Sequence, residues 1–247
     1  MRTPLRTLAF IGLASLVIAA PGLAQTAPEK RAKAPAPQSP PAKPQDAATP
    51  APAAPTSAAA GDEKAASIVE GFRSAKFGIS EADVRAAIAK DFGLKPDAVR
   101  QQENPAELTR SLQVTVPDLL ANGGTAEVSY VLGYKSKTLI QVGVVWSKAT
   151  DTAMTPERLF SNANILRAHF MNEGFRPDTI SVNTPVNGGL LMFRGSDARD
   201  RSVILLLQGT FENKENNQRV LTPTGLLLFY VADAKSPDVF KLPPGQF

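Results

Sequence analysis

The chain has 247 residues, with 27 lysines and arginines against 23 aspartates and glutamates, one histidine and no cysteine. A charged fraction of 20% and a hydrophobic fraction of 43% are those of an ordinary globular protein, which excludes whole-chain disorder and a multi-span membrane protein. Zero cysteine excludes disulfides, thiolate zinc sites, iron–sulfur clusters, a cysteine nucleophile and a lipobox anchor.

The N-terminal sixty residues are unlike the rest. Arg2 and Arg6 precede an apolar run from Leu8 to Ala20, then Pro21, and Gly22 and Ala24 place small residues before Gln25. This order predicts a secretory signal peptide over residues 1–24. The run is 13 residues long, whereas crossing a bilayer as a helix takes about 20. The expectation is therefore an exported chain, periplasmic or secreted, with no integral membrane span after signal cleavage. Residues 25–60 hold nine prolines and thirteen alanines among 36 positions, with no larger apolar side chain. Such a segment cannot offset its ordering entropy and is expected to be a disordered linker. Pro37–Pro40 and Pro41–Pro44 fit a loose Pro-x-x-Pro spacing that proline-rich sequence produces by chance, so a spacer is favoured over a docking motif.

Charge follows this division. The net charge of +4 and an isoelectric point near 9.4 would first suggest nucleic acid. Two arginines lie in the signal region, and the linker holds four bases against two acids. Residues 61–247 then carry 21 of each sign. A formally neutral domain gives no electrostatic basis for binding nucleic acid.

Asp62 is placed to cap a short helix over 63–70, with Gly71 as its stop, followed by an extended piece from Phe72 to Phe77. Ser80 and Asp83 form a capping-box pattern, and Val84, Ile88 and Phe92 recur at helical spacing before Gly93. A helix over 81–92 is predicted. Lys95–Gln102 reads either as a short helix after Pro96 or as a turn. The period then changes from helical to two: Leu112–Val116, Ala126–Leu132 and Ile140–Trp146 alternate apolar with polar residues and are joined by short turns. Three antiparallel strands with one buried face are expected. Thr155-Pro156 opens a second helix carrying Leu159, Ala163, Leu166 and Phe170, with Gly174 at its end. Strands follow at about 179–186, 189–195, 201–210 and 223–232, and Asn187-Gly188 is a strong hairpin turn. Val203–Leu207 and Leu226–Val231 are unbroken apolar runs, which predicts central strands covered on both faces. Residues 212–219 read as a polar loop.

The fold class is thus α+β, as two consecutive helix-then-antiparallel-meander units over 61–150 and 151–247, with helices packed on antiparallel sheet. The export signal, the segment Phe77-Gly78-Ile79-Ser80 opening a helix, and the meander after it resemble small exported bacterial domains. These include the β-lactamase-inhibitor-protein-like fold and the small lipoprotein of the outer-membrane assembly machinery. The resemblance implies binding to other proteins instead of catalysis and carries over no functional residues. The missing lipobox cysteine departs from the lipoprotein. Tyr130–Trp146 also resembles part of an uncharacterised exported family.

The chain has no G-x-S-x-G, no phosphate-loop motif and no H-E-x-x-H. His169, the sole histidine, adjoins an apolar helical stripe and is read as structural instead of as a general base. Asp197 and Asp200 sit in a turn interleaved with Arg199 and Arg201, which points to local ion pairing over a cation site. Residues 85–110 superficially read as helix-turn-helix but carry five bases against four acids. No catalytic residue, metal ligand or cofactor site is assigned. Tyr134 in a turn, Phe175 after the second helix and Phe247 near the C-terminus are the candidate interface anchors. The leading expectation is a non-catalytic exported module that binds another envelope protein through its sheet or a loop end. The alternative is a small-ligand carrier or hydrolase with a pocket between helices and sheet.

Overall fold

The computed structural model describes residues 66–213 and 219–242 together with Gly245. All belong to one compact unit spanning Asp62–Phe247. The signal and linker, Phe247 and the centre of the polar loop lie outside the described residues.

The architecture is mixed α+β and dominated by strands. A two-residue hairpin, β1 (Gly71–Phe72) and β2 (Ala75–Lys76), leads into α1 (Glu81–Phe92). Strands β3 (Arg100–Asn104), β4 (Thr109–Val116), β5 (Ala126–Leu132) and β6 (Leu139–Ser147) follow. After α2 (Pro156–Met171) come β7 (Ser181–Val186), β8 (Gly189–Ser196), β9 (Ser202–Asn213) and β10 (Arg219–Val231). The last eight strands form one antiparallel sheet in the order β3-β4-β5-β6-β10-β9-β8-β7. No helix among the described residues is long and apolar enough to cross a membrane.

The helix predicted over 81–92 forms with those bounds. Ser80 accepts from the Asp83 amide while the Asp83 carboxylate accepts from the Ser80 amide, so two otherwise orphaned donors are satisfied. Gly93 ends the helix at φ 66°, a left-handed conformation that costs a residue without a Cβ little. Val84, Ala87 and Ile88 face the sheet and are buried.

Four expectations are corrected. Residues 66–70 are not helical: Ala66 bridges Gly174, and Gly71 belongs to β1. Asp62 as a cap and the spacing of Ala65, Ala66, Ile68 and Val69 suggest a helix, but the Ser67 amide is held by the Gly174 carbonyl and the Phe77 amide by the Glu70 carbonyl. Of the two readings of residues 95–102, a short helix is the one that forms, but it covers three residues only. This 3-10 helix, Pro96–Ala98, is followed by β3, so no second α-helix of a helix-turn-helix exists. Helix α2 stops at Met171, three residues before Gly174. Strands β9 and β10 run further than expected, to Asn213 and from Arg219, into the polar segment.

Sheet register decides which side chains meet the helices. Leu112 pairs with Tyr130, Tyr130 with Val142, Val142 with Tyr230, and Tyr230 with Val203. This parity is the helix side. Leu112, Val128, Val144, Leu205 and Leu228 all lie in the same buried cluster as Val84 and Ile88 of α1 and Leu159 and Leu166 of α2. Between Leu191 and Phe193 the β8–β9 register shifts by one residue at Met192. A bulge of this kind reverses the alternation. It brings Phe193 to the helix side, where its ring stacks on Phe170 of α2 at 5.5 Å.

The two sheet margins are poor templates for further pairing. β3 is short, polar and exposed, with Arg100 and Glu103 in it. β7 contains Pro185, and Asn183 has a positive φ of 51°. Charge, proline and backbone irregularity at margins discourage edge-to-edge association.

Replacing Ser80 with alanine removes one half of the capping box. Denaturant unfolding is expected to show a loss of about 1 kcal/mol, with the slope of the transition unchanged.

Candidate functional site

The two faces of the sheet are treated differently. Both helices and the β1–β2 hairpin lie on one side: α1 reaches β4 through the Glu81–Arg110 ion pair at 3.1 Å, α2 packs through Phe170, and Phe72 of β1 meets Tyr230 at 5.4 Å. Among the described residues no helix or strand lies against the other side.

That side is nevertheless apolar at its centre. Phe229 pairs with Gly143 and Ile204, and Leu227 pairs with Val145 and Leu206. Leu206 in turn pairs with Leu191, and Val231 lies one row along. Leu191, Phe229 and Val231 are buried yet absent from the main core cluster, while Val145, Ile204, Leu206 and Leu227 are half-buried. The burial of Phe229 has a local cause. A Cβ on Gly143 would stand 3.3 Å from the Phe229 ring and 2.9 Å from Ser129 Oγ, so the ring fills the space that the glycine leaves across the strand pair. Around this centre the side chains are polar: Gln113, Ser129, Gln141, Ser147 and Gln208, with the Arg100–Glu127 ion pair at 2.7 Å.

The sequence-derived candidates are distributed elsewhere. Phe175 is not an exposed anchor: it is 6% exposed, and its ring lies 5.3 Å from Phe193 and 6.5 Å from Phe170. An aromatic after a helix end read as solvent-facing because its partners come from β8 and α2. Tyr134 is half-buried. Its ring meets the edge of Phe240 at 5.6 Å, with Lys137 Nζ 5.5 Å from its centroid. Phe247 lies outside the described residues. The structure does not bring Tyr134 and Phe175 together.

His169 has a 60% exposed side chain, 3.6 Å from Glu173 at helical spacing. Its ring leans on Phe170.

Asp197 and Asp200 are separated in role. The Asp197 side chain is buried, and its carboxylate accepts from three backbone amides, those of Val69, Arg199 and Arg201, at 2.8–3.0 Å. It ties the segment before β1 to the β8–β9 turn. Asp200 instead pairs with Lys235 and Arg176, each at 2.8 Å, and the Lys235 ammonium chiefly holds its pKa below the ordinary aspartate value. Among the described residues no group of three histidines or carboxylates could hold a metal.

Two further aspartates clasp turns in the same way, and neither was singled out from sequence. Asp151 accepts from the Thr125 and Ala153 amides, and Asp238 from those of Lys135 and Ser136. Those bonds, the Ser136 amide foremost, lower the Asp238 pKa. On the helix side Tyr230 is pushed up to about 12 by burial, with Glu173 adding to the shift. The Tyr130 hydroxyl is pushed up as well, again by burial.

A half-open cleft of about 240 Å³ lies between the C-terminal end of α1 and the β4–β5 connection, lined by Arg73, Phe92, Leu94 and Asp118 among others. It is smaller than the 300–1,000 Å³ of typical small-molecule sites.

Comparison with family models, curated proteins and solved structures gave no match.

Replacing Asp197 with alanine leaves three amides without their acceptor and is expected to cost about 2–3 kcal/mol in denaturant unfolding. Asp200→Asn removes only exposed ion pairs, keeps a residue suited to the left-handed backbone there (φ 61°), and should leave the midpoint in place. Calcium should not raise the melting temperature of the unmodified chain, since a ligand that binds only the folded state would raise it.

Proposed function

We propose that this protein is an exported, non-catalytic module that docks a partner protein of the cell envelope on the helix-free face of its sheet. The observation that carries the reading is the apolar centre of that face, formed by Val145, Leu191, Ile204, Leu206, Leu227, Phe229 and Val231 on the side away from both helices. An antiparallel sheet with one solvated face ordinarily alternates apolar with polar residues. β9 and β10 do not alternate. Contiguous apolar surface with a polar rim is characteristic of interaction sites, and on this face the half-buried Val145, Ile204, Leu206 and Leu227 supply it. The 240 Å³ cleft offers less to the alternative of a small-ligand carrier.

Export rests on the sequence signal at residues 1–24, and the linker reading of 25–60 makes that segment a spacer for the docking domain. The finer architecture belongs to the same proposal. Helix α1 precedes β3–β6, α2 precedes β7–β10, and the last strand of each set pairs with the other, β6 with β10. This order supports two consecutive helix-then-meander units whose sheets merge into one docking surface, in keeping with the resemblance to exported inhibitor-like domains.

Leu206→Asp and Leu227→Asp place a charge on the docking face without touching the helix side. Immobilised chain is expected to retain a discrete protein from envelope extract, to lose it in both variants, and to keep it in Ile165→Asp on the exposed side of α2. Retention that is indifferent to Leu206 and Leu227 would contradict the reading.

A further inference from the structure

Among the described residues, the central rows of the helix-free face carry one charge that no other side chain answers. Over the six inner strands, in the rows from Val231–Ser202 to Gly225–Gln208, two of its side chains are ionised, Glu127 and Arg194. Glu127 is taken by Arg100 at 2.7 Å. Arg194 of β8 stands in register with Ile204 and Ser181, one position from Phe193, which faces the helices. It is half-buried and has no hydrogen-bond or ion-pair partner among the described residues. A partner that covers the half-buried Ile204 and Leu206 would strip water from the guanidinium as well. A charge left buried without a counter-ion is strongly unfavourable, whereas a carboxylate can accept two parallel N–H bonds from the fork of an arginine.

Resting on the docking reading above, we infer that the partner is a protein that presents an aspartate or glutamate side chain to Arg194, beside an apolar group seated over Ile204 and Leu206. A second copy of this chain fits poorly, because the carboxylate on its equivalent face is already engaged by Arg100. An anionic lipid surface fits poorly too, since residues 61–247 hold equal numbers of acids and bases and Arg194 stands as a single cation among apolar neighbours. Arg194 is a specificity determinant here, and the leucines supply the contact area.

The test is to pan a phage-displayed library of random peptides on the immobilised full chain and measure the enriched peptides, made synthetically, by fluorescence anisotropy. Enriched sequences are expected to set an acid beside leucine or an aromatic residue. Binding should vanish in Leu206→Asp and weaken about tenfold or more in Arg194→Met, with Arg194→Lys in between. Changing the peptide's acid to its amide should weaken binding to the unmodified chain and not to Arg194→Met, which is the signature of a direct pair. Because the Arg194 side chain makes no hydrogen bond or ion pair among the described residues, Arg194→Met should keep its melting temperature. Peptides lost in Leu206→Asp but indifferent to Arg194→Met would overturn the role of Arg194 and leave the docking face standing. Peptides indifferent to Leu206→Asp, or no enrichment, would overturn both. A dimer by sedimentation that Leu206→Asp abolishes, or co-sedimentation with phosphatidylglycerol vesicles that it abolishes, would name another occupant and overturn the inference equally.

Discussion

The pairing of β10 with β6 is the constraint on which the rest depends. Seven residue pairs, from Gly225 with Ser147 to Val231 with Gln141, join two sets of strands that are each contiguous in sequence into one eight-stranded sheet. Without that seam each set would expose the margin of a four-stranded sheet, and the last strand of each, β6 or β10, carries buried core residues. With it, β6 and β10 become interior strands, and the exposed margins fall to β3 and β7, which are polar or interrupted by proline. One ladder thus settles both the core and the edges.

The same seam creates the apolar face. Gly143 sits on β6 opposite Phe229 of β10, so the aromatic ring lies down across the joint instead of projecting from it. Leu227 and Val145 meet beside it. On the other side of the sheet, Leu226 and Leu228 alternate with these residues and pack beneath the helices. An unbroken apolar strand is therefore used twice, once to build the core and once to build a surface. That second use carries the functional reading, and the lone guanidinium of Arg194 gives it a chemical direction.

Much of this was legible in the sequence. The capping box at Ser80 and Asp83 gave the bounds of α1, because its stabilising bonds are local. The alternation in β4, β5 and β6 gave the strands, and the runs at Val203–Leu207 and Leu226–Val231 marked interior positions. β3 was not legible: its residues Arg-Gln-Gln-Glu-Asn carry no apolar period, and it is a strand only because β4 offers it a ladder. Residues 66–70 were misread because helical spacing of small apolar residues is weak beside the backbone bonds from Ser67 to Gly174. The candidate site was the least legible part. Both-face coverage was expected for the apolar runs, and register is a long-range property that puts Leu191, Leu206, Leu227 and Val145 in one row only after four strands have assembled. Phe175 was misjudged for the same reason, since the rings that bury it lie on other elements.

Docking on the second face of the sheet requires that this face be open in the free protein. Methyl NMR of the full chain with a dissolved paramagnetic agent reads it directly. The Ile204, Leu206, Leu227 and Val145 methyls are expected to broaden strongly, with Leu205, Leu207, Leu228 and Val144 protected. Protection of the first group equal to that of the second would mean that the face is covered within the chain itself, and would contradict the account.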